Sequence, residues 1–300
     1  MKIDERLLRV REMALNPYIE PKTHFEKAWL NSVKDYNNDS WYNWDHPDNF
    51  IHEIEYKRGL RYSVGDFKSG LNIILYSGGK ESLLTKLIFD FYKIPYKLAT
   101  IKEINGYDGP YINEFVDEFV DSDIFVESEM FRFGAIPQYG RHLPASYYYT
   151  LLILKRHPGA RVFLGCEYSP IEWCHKNYNI DQCDVMFSDI NSDSDVIGSV
   201  YSIVNCLREF DIYRIVRKEF SYDPKYSTYD NPEKKSRLEV FDDMIAIIDK
   251  INSSQCKKHL LMEFDPFVST LRIMKPYIYD FRQDIVDFIR QFKEYQKIAK

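Results

Sequence analysis

Residues 77–82, which read Ser-Gly-Gly-Lys-Glu-Ser, combine the groups that an anion-binding turn needs. Glycine lets the backbone approach a ligand closely, and successive N–H groups at the start of a helix offer hydrogen bonds to phosphate oxygens. The two serine hydroxyls add further donors, and Lys80 adds a positive charge. Glu81 is an anion in an anion site, which makes sense if it holds Mg²⁺ or positions a ligand group. This segment therefore predicts a cradle for phosphate.

Two better-known phosphate motifs do not fit this segment. A Walker A loop would need glycine in place of Ile74 and serine or threonine in place of Glu81. A dinucleotide fingerprint would need a third glycine at a fixed distance after Gly78 and Gly79, and none is present there. The alternative to a ligand site is an ordinary strand-to-helix turn that is rich in small residues.

The hexapeptide lies between a predicted buried strand and a predicted helix. Residues 71–76 form a nearly continuous apolar run, and residues 82–92 carry apolar side chains at helical spacing. Strand and helix patterns go on alternating, which indicates an α/β fold with a parallel sheet flanked by helices. The further predicted strands cover residues 96–101, 123–126 and 161–165, and the further predicted helices cover residues 5–14, 111–120, 144–155, 200–210, 238–252 and 277–297.

These patterns divide the chain into three predicted regions. Residues 1–69 form a polar and aromatic N-terminal accessory region. Residues 70–199 carry the alternating strands and helices and form the nucleotide-binding domain. Residues 200–300 form a mostly helical C-terminal region. We expect the two outer regions to shape the pocket of the substrate.

The hexapeptide resembles the Ser-Gly-Gly-x-Asp-Ser signature of the PP-loop ATP pyrophosphatases, the adenine nucleotide α-hydrolase-like group with a Rossmann-like HUP fold. The resemblance implies that ATP is cleaved between its α and β phosphates, that a substrate is adenylated, and that a nucleophile then displaces AMP. It implies a catalytic role for Lys80 and for Glu81, and makes Glu81 the metal ligand for Mg²⁺ at the position of the signature's aspartate. Glutamate keeps the charge and places it one methylene further out. The residues that it implies for pyrophosphate binding are Ser77, Gly78, Gly79 and Ser82.

A second region resembles the PP-loop enzymes that include the 7-cyano-7-deazaguanine synthases and a muropeptide glutamate epimerase. Gly140-Arg141-His142 precedes a predicted helix that leads into a strand ending at Gly165-Cys166-Glu167. The resemblance implies catalytic roles for Arg141 and Glu167 and nucleotide binding at Gly165. A surface arginine in a helix-entry loop is the alternative for Arg141. The deazaguanine synthases carry a zinc-binding cysteine cluster near the C-terminus, where this chain has only Cys256, so that activity does not fit.

Other chemistry-bearing side chains follow the strand predicted over residues 161–165. Glu167 and Glu172 lie where open α/β sheets bind ligands, so either could hold Mg²⁺ or act as a base, unless both are solvated loop carboxylates. A cluster of thiols and one imidazole has a spacing that matches no common zinc pattern, and buried free cysteine is the favoured interpretation. Acidic residues further on are interpreted as a hydrated loop, with Mg²⁺ ligation as the alternative. The cluster consists of Cys166, Cys174, His175 and Cys183, and the acidic residues are Asp181 and those within 184–195.

Composition limits the class of protein. Among the 300 residues, 40 Lys and Arg stand against 46 Asp and Glu, and the net charge of −6 argues against bulk nucleic acid as a partner. Hydrophobic residues make up 45%, which excludes a disordered chain. The longest apolar stretches are far shorter than the roughly 18 residues of a membrane span. Five cysteines and the absence of a visible secretory signal favour a reducing, cytoplasmic location.

The sequence therefore predicts an enzyme that uses ATP, with Mg²⁺, to adenylate a carboxylate or carbonyl oxygen of a small-molecule substrate. One alternative is a PP-loop enzyme that modifies an RNA base, although the chain has no basic arm. The other alternative is a nucleotide-binding regulatory protein without catalysis, which the glutamate at position 81 keeps open. Whether the chain forms a homo-oligomer is also left open.

Overall fold

A computed structural model describes the chain over most of its first two thirds and over one C-terminal helix. The described residues are 1–16, 18–30, 60–104, 122–129, 144–167, 184–207, 209–220, 242, 246 and 279–298. None of the helices within these ranges combines the length and the apolar character that crossing a membrane requires.

Five parallel strands form the central sheet, which confirms the predicted α/β class. The sheet strands are β2 (Asn72–Leu75), β3 (Lys97–Glu103), β4 (Ile124–Ser128), β5 (Arg161–Phe163) and β6 (Ser199–Tyr201), and β1 (Leu60–Arg61) lies outside this sheet. The order across the sheet is β4-β3-β2-β5-β6, and every neighbouring pair is parallel. The central strand β2 is the one that leads into the hexapeptide.

Helices flank this sheet. They are α1 (Ile3–Leu15), α2 (Lys80–Tyr92), α3 (Ala145–Arg156), α4 (Asp184–Ser192) and α5 (Glu209–Phe220), with a short 3₁₀ helix over Val64–Phe67. Helix α2 packs against β2 and α5, whereas α3 packs against β4, β5 and α1. Residues 24–30 are also helical.

The C-terminal helix is joined to the rest of the chain by a short strand pair. Strand β7 (Tyr279–Asp280) pairs in parallel with β1, and α6 (Arg282–Ile298) follows and contacts α2. The predicted helix over 277–297 is therefore confirmed over most of its length, with a strand at its beginning.

Aromatic side chains fill the core between α2 and the sheet. Phe163 on β5 is fully buried, and its ring meets Phe89 of α2 edge to face at a centroid distance of 4.7 Å. Phe67 meets Phe163 from the 3₁₀ helix at 5.0 Å, and Tyr201 on β6 stacks on it at 5.6 Å. These contacts fix α2 relative to β5, the two elements whose ends carry the predicted site residues.

The predicted helix over residues 200–210 is wrong. Residues 199–201 form the edge strand β6, a turn follows, and α5 begins only at Glu209. The apolar spacing of Val200, Ile203 and Val204 resembles a helix face, but all three side chains are buried because the strand and the turn both pack on the core. Pairing with β5 decides the conformation here.

The interpretation of residues 184–195 as a hydrated loop is wrong over residues 184–192. Residues 184–192 form α4, and Asp189 is buried against Arg6 of α1. The same guanidinium binds Asp193. These two carboxylates therefore neutralise a buried arginine, whereas Asp195 is exposed in the turn that follows α4.

The predicted helix over 111–120 lies outside the described residues, and so does nearly all of the helix predicted over 238–252. The division into three regions stays a prediction.

Candidate functional site

The strand order of the sheet reverses beside β2. From β2 the chain moves to β3 and β4 on one side, and then crosses to β5 and β6 on the other. In open parallel sheets ligands bind outside the carboxyl ends of the strands at such a switch point. Residues 77–82 follow β2, and residues 164–167 follow β5. The fold therefore places both predicted groups of site residues at the same crevice.

The turn after β2 is shaped by two glycines. Gly78 has a φ of 75°, a conformation that glycine adopts without strain. Gly79 is the N-cap residue of α2, with extended backbone angles, and its carbonyl accepts the first helical hydrogen bond from the amide of Leu83 at 2.9 Å. The amides of residues 80–82 thus belong to the first turn of α2, where backbone N–H groups point away from the helix and can bind an anion. We call residues 77–82 together with Gly165 the cradle.

The two serines of the cradle occupy different positions. Ser77 is exposed, and its Oγ accepts a hydrogen bond from the amide of Gly79 at 3.4 Å. Ser82 is buried, and its hydroxyl donates to the carbonyl of Gly79 at 3.0 Å. The Ser82 hydroxyl is therefore already bonded within the first turn of α2, so the backbone amide of Ser82 is the better donor for a ligand.

Lys80 and Glu81 form an ion pair at the mouth of the cradle. The distance from Lys80 Nζ to Glu81 Oε1 is 2.5 Å, and the two side chains are 13% and 20% exposed. Both charges therefore lie in the crevice and face one another. Glu81 also stands in the first turn of α2, where a carboxylate is stabilised by the positive end of the helix dipole.

Gly165 lies directly against the first turn of α2. A Cβ atom added at Gly165 would lie 2.7 Å from the Cβ of Glu81 and 3.0 Å from the amide nitrogen of Ser82. Only glycine allows the loop after β5 to approach the helix start this closely. The sequence interpretation assigned Gly165 to nucleotide binding, and the structure gives it a packing reason at the same place.

The loop after β5 is also tied to β6. The amide of Leu164 donates to the carbonyl of Tyr201 at 2.9 Å, and the hydroxyl of Ser202 donates to the carbonyl of Cys166 at 2.6 Å. Cys166 is buried, as expected of a free cysteine in the core. Glu167 follows it with a half-buried side chain. The carboxyl ends of β2, β5 and β6 are thereby linked around the crevice.

A polar contact beneath the cradle was missed by the sequence interpretation. Thr100 of β3 is buried and donates through its hydroxyl to the carbonyl of Tyr76 at 2.7 Å. Burial raises the pKa of the Tyr76 phenol, and the nearby Lys86 opposes this rise. The signal in the sequence is a threonine between the apolar residues Ala99 and Ile101 of β3. Thr100 fixes the backbone just before the turn.

The remaining predicted site residues lie outside the described residues. They are Arg141, Glu172, Cys174, His175 and Cys183. The proposed cysteine and histidine cluster is therefore described only at Cys166.

The described residues do not by themselves build a resident Mg²⁺ site. Within the described ranges no three His, Cys, Asp or Glu side chains come together as metal ligands. Glu81 is the carboxylate in the cradle, and Lys80 already binds one of its oxygens. Mg²⁺ in nucleotide sites is held largely by phosphates and water, so any Mg²⁺ here would arrive with the nucleotide as part of the substrate.

The structure defines an α/β protein in which a helix begins at the switch point of a parallel sheet, with first-turn amides that could bind an anion. No family model, no curated protein and no solved structure matches the chain.

Proposed function

We propose that the chain binds ATP with its β and γ phosphates over the cradle and transfers AMP to an oxygen of a small-molecule carboxylate or carbonyl. The observation that carries the proposal is the position of the hexapeptide: it opens a 13-residue helix at the carboxyl end of the central strand, beside the reversal of strand order. The cradle's resemblance to the PP-loop signature, and with it a HUP-like fold, supports the choice of ATP.

The chemistry asks the protein for positioning and for charge stabilisation. The substrate oxygen attacks the α phosphorus, a new oxygen–phosphorus bond forms, and the bond to the bridging oxygen of the β phosphate breaks. Pyrophosphate leaves with that electron pair. The first-turn amides of α2 and the Lys80 ammonium are the groups that bind the departing charge, because they are fixed before the reaction begins.

Cleavage at the α phosphorus, as opposed to the γ phosphorus, is what the resemblance of the turn to the PP-loop signature implies. A Walker A loop surrounds the β phosphate and brings a lysine and a hydroxyl residue to the γ phosphate and Mg²⁺. The cradle has two adjacent glycines, and Glu81 stands where the hydroxyl residue would be. A nucleotide whose terminal phosphates lie against the helix start presents its α phosphate outward, toward the crevice between β2 and β5.

A second candidate function is nucleotide binding without turnover, in a regulatory protein. The ion pair between Lys80 and Glu81 favours it, because each side chain neutralises the other at the position where catalysis would use its charge. This candidate shares the site and differs only in the products.

Product analysis separates the two candidates. The protein is incubated with Mg²⁺-ATP and a mixture of carboxylate metabolites, and nucleotides are separated by chromatography. We expect one pyrophosphate for each adenylate formed, and an equal amount of AMP once water or another nucleophile displaces it from the adenylate. Accumulation of ADP and phosphate would contradict the proposal, whereas saturable ATP binding with no product would favour the regulatory protein.

A Gly79→Val variant is the control for this experiment. Gly79 has backbone angles open to any residue, so the fold is retained, but the bulk covers the helix start. We expect ATP binding to weaken at least tenfold, which corresponds to about 1.4 kcal/mol.

A further inference from the structure

The carboxylate of Glu81 folds back over the cradle. Its Oε1 lies 2.5 Å from Lys80 Nζ. A methyl group built on Gly79 would lie 3.5 Å from Glu81 Oε2 and 3.3 Å from Ser77 Oγ. The side chain thus reaches from the second residue of α2 toward the N-cap, and its carboxylate stands beside Lys80 and Gly79, where a bound phosphate would stand.

The loop after β5 packs against the Cβ of Glu81. The position of a Cβ at Gly165 is only 2.7 Å from the Cβ of Glu81, so the loop closes off that side of the side chain. The close approach of Gly165 on one side and the ion pair with Lys80 on the other together keep the Glu81 carboxylate over the helix start.

We propose that Glu81 acts as an internal anion that occupies the cradle in the ligand-free protein and must be displaced by the phosphates of the ligand. This inference rests on the proposed function, since it concerns the same cradle. A carboxylate near the positive end of a helix and beside an ammonium is stabilised there, and it repels a second anion that approaches within a few ångströms. Displacing it breaks the ion pair between Glu81 and Lys80, so that the ammonium can bind the ligand in place of the carboxylate.

The inference concerns affinity and differs from a metal-binding role for Glu81. A metal ligand assists phosphate binding, so its removal weakens binding. An internal anion competes with phosphate, so its removal strengthens binding. The two roles predict opposite signs for one measurement.

The test is a calorimetric titration of the full-length protein with inorganic pyrophosphate in the presence of EDTA, which leaves only the electrostatic competition. The variants are Glu81→Gln, which keeps the shape and removes the charge, and Glu81→Ala, which removes the carboxylate altogether. The matched control is Glu127→Gln on the edge strand β4, where the side chain is exposed, so that net charge changes equally. Melting curves establish that each variant is folded.

We expect pyrophosphate to bind about fivefold to tenfold more tightly to both Glu81 variants than to the wild type, with Glu127→Gln unchanged. Wild-type protein that binds weakly or not at all, beside a Glu81→Gln variant that binds, supports the inference. Binding to the wild type that Glu81→Gln leaves equal or weakens overturns the internal anion and leaves the cradle intact. An equal gain in Glu127→Gln overturns it as an effect of net charge. Absence of pyrophosphate binding in every variant overturns the internal anion, and absence of Mg²⁺-ATP binding to the same variants overturns the proposed function as well.

Discussion

Gly165 approaches the start of α2 closely, and it can do so because its side chain is a single hydrogen atom. Any Cβ there would lie within 3.1 Å of three atoms at the start of α2, two of them backbone atoms. Backbone atoms cannot move aside as the end of a flexible side chain can. The approach of the β5 loop to α2 therefore depends on this single residue.

We expect Gly165→Ala to lower the free energy of unfolding by about 1–3 kcal/mol, the usual cost of overpacking, and to weaken ATP binding as α2 shifts. Urea unfolding and an ATP titration measure the two effects. Gly79→Ala is the matched control for stability, because a Cβ there meets only side-chain oxygens at 3.3 and 3.5 Å. A Gly165→Ala protein as stable as the control would contradict this prediction, because it would show that the loop after β5 moves to accommodate the added Cβ.

At the scale of elements, the central strand is anchored at its start by a buried polar side chain. Asn72 of β2 donates through Nδ2 to the carbonyl of Phe67 at 2.7 Å and to the carbonyl of Pro95 at 2.8 Å. Its Oδ1 accepts from the guanidinium of Arg161 at 3.3 Å. One side chain thus connects the 3₁₀ helix, the loop before β3 and the start of β5 to the beginning of β2.

We expect Asn72→Leu to lower the free energy of unfolding by about 1–3 kcal/mol, because the buried carbonyl of Phe67 loses its donor, and the partly buried carbonyl of Pro95 loses one as well. Denaturant unfolding measures this loss. Asn16→Ala is the control, since Asn16 is exposed and accepts a single hydrogen bond from the amide of Tyr18. A loss for Asn72→Leu no larger than for the control would contradict the anchoring role.

At the scale of the whole molecule, a buried charge cluster joins the N-terminal helix to the α/β core. Arg6 of α1 binds Tyr147 of α3 together with Asp189 and Asp193. The Tyr147 hydroxyl also donates to Asp189 at 2.9 Å. Burial raises the pKa of the Tyr147 phenol. The cluster explains why α1 packs firmly on α3 although its sequence is rich in charge.

This cluster makes stability depend on pH in a definite direction. Burial by itself raises the pKa of Asp193, but hydrogen bonds from Arg6, from the amide of Asp195 and from the Met1 amino group outweigh it and hold the pKa well below the usual range. A lowered carboxyl pKa stabilises the fold at pH values above the unfolded pKa of about 4, and that contribution is lost as the pH falls below it.

We therefore expect Asp193→Asn to lower the free energy of unfolding by about 1.5–3 kcal/mol at pH 7, the value of a hydrogen bond to a charged group. At pH 3 the free energies of unfolding of the variant and the wild type should differ less. Urea unfolding at pH 7, 5 and 3 measures this. Asp4→Asn is the control, because the pair between Asp4 and Lys155 is exposed and exposed pairs contribute about 0–1 kcal/mol. A gap between Asp193→Asn and the wild type that stays constant with pH would contradict the assignment.

The amino-acid sequence by itself determined the class of fold and the place of the cradle. The apolar run before Ser77 predicted the strand that is observed at 72–75, and the helical spacing after Ser82 predicted the helix that is observed at 80–92. These patterns are local: strand, glycine turn and helix follow one another within about twenty residues, so no distant contact is needed to recognise them.

Only the tertiary structure decided what distant residues do to one another. The contact of Gly165 with Glu81, the binding of Arg6 to Asp189, and the strand at 199–201 all join residues far apart in sequence. The periodicity of apolar residues indicates which side chains are buried, but not which residues they pack against. For this reason the strand at 199–201 was predicted as part of a helix, and the buried Asp189 was predicted as a loop residue. The order of the strands decides which residues become neighbours in space, because it determines which strand ends meet at the crevice.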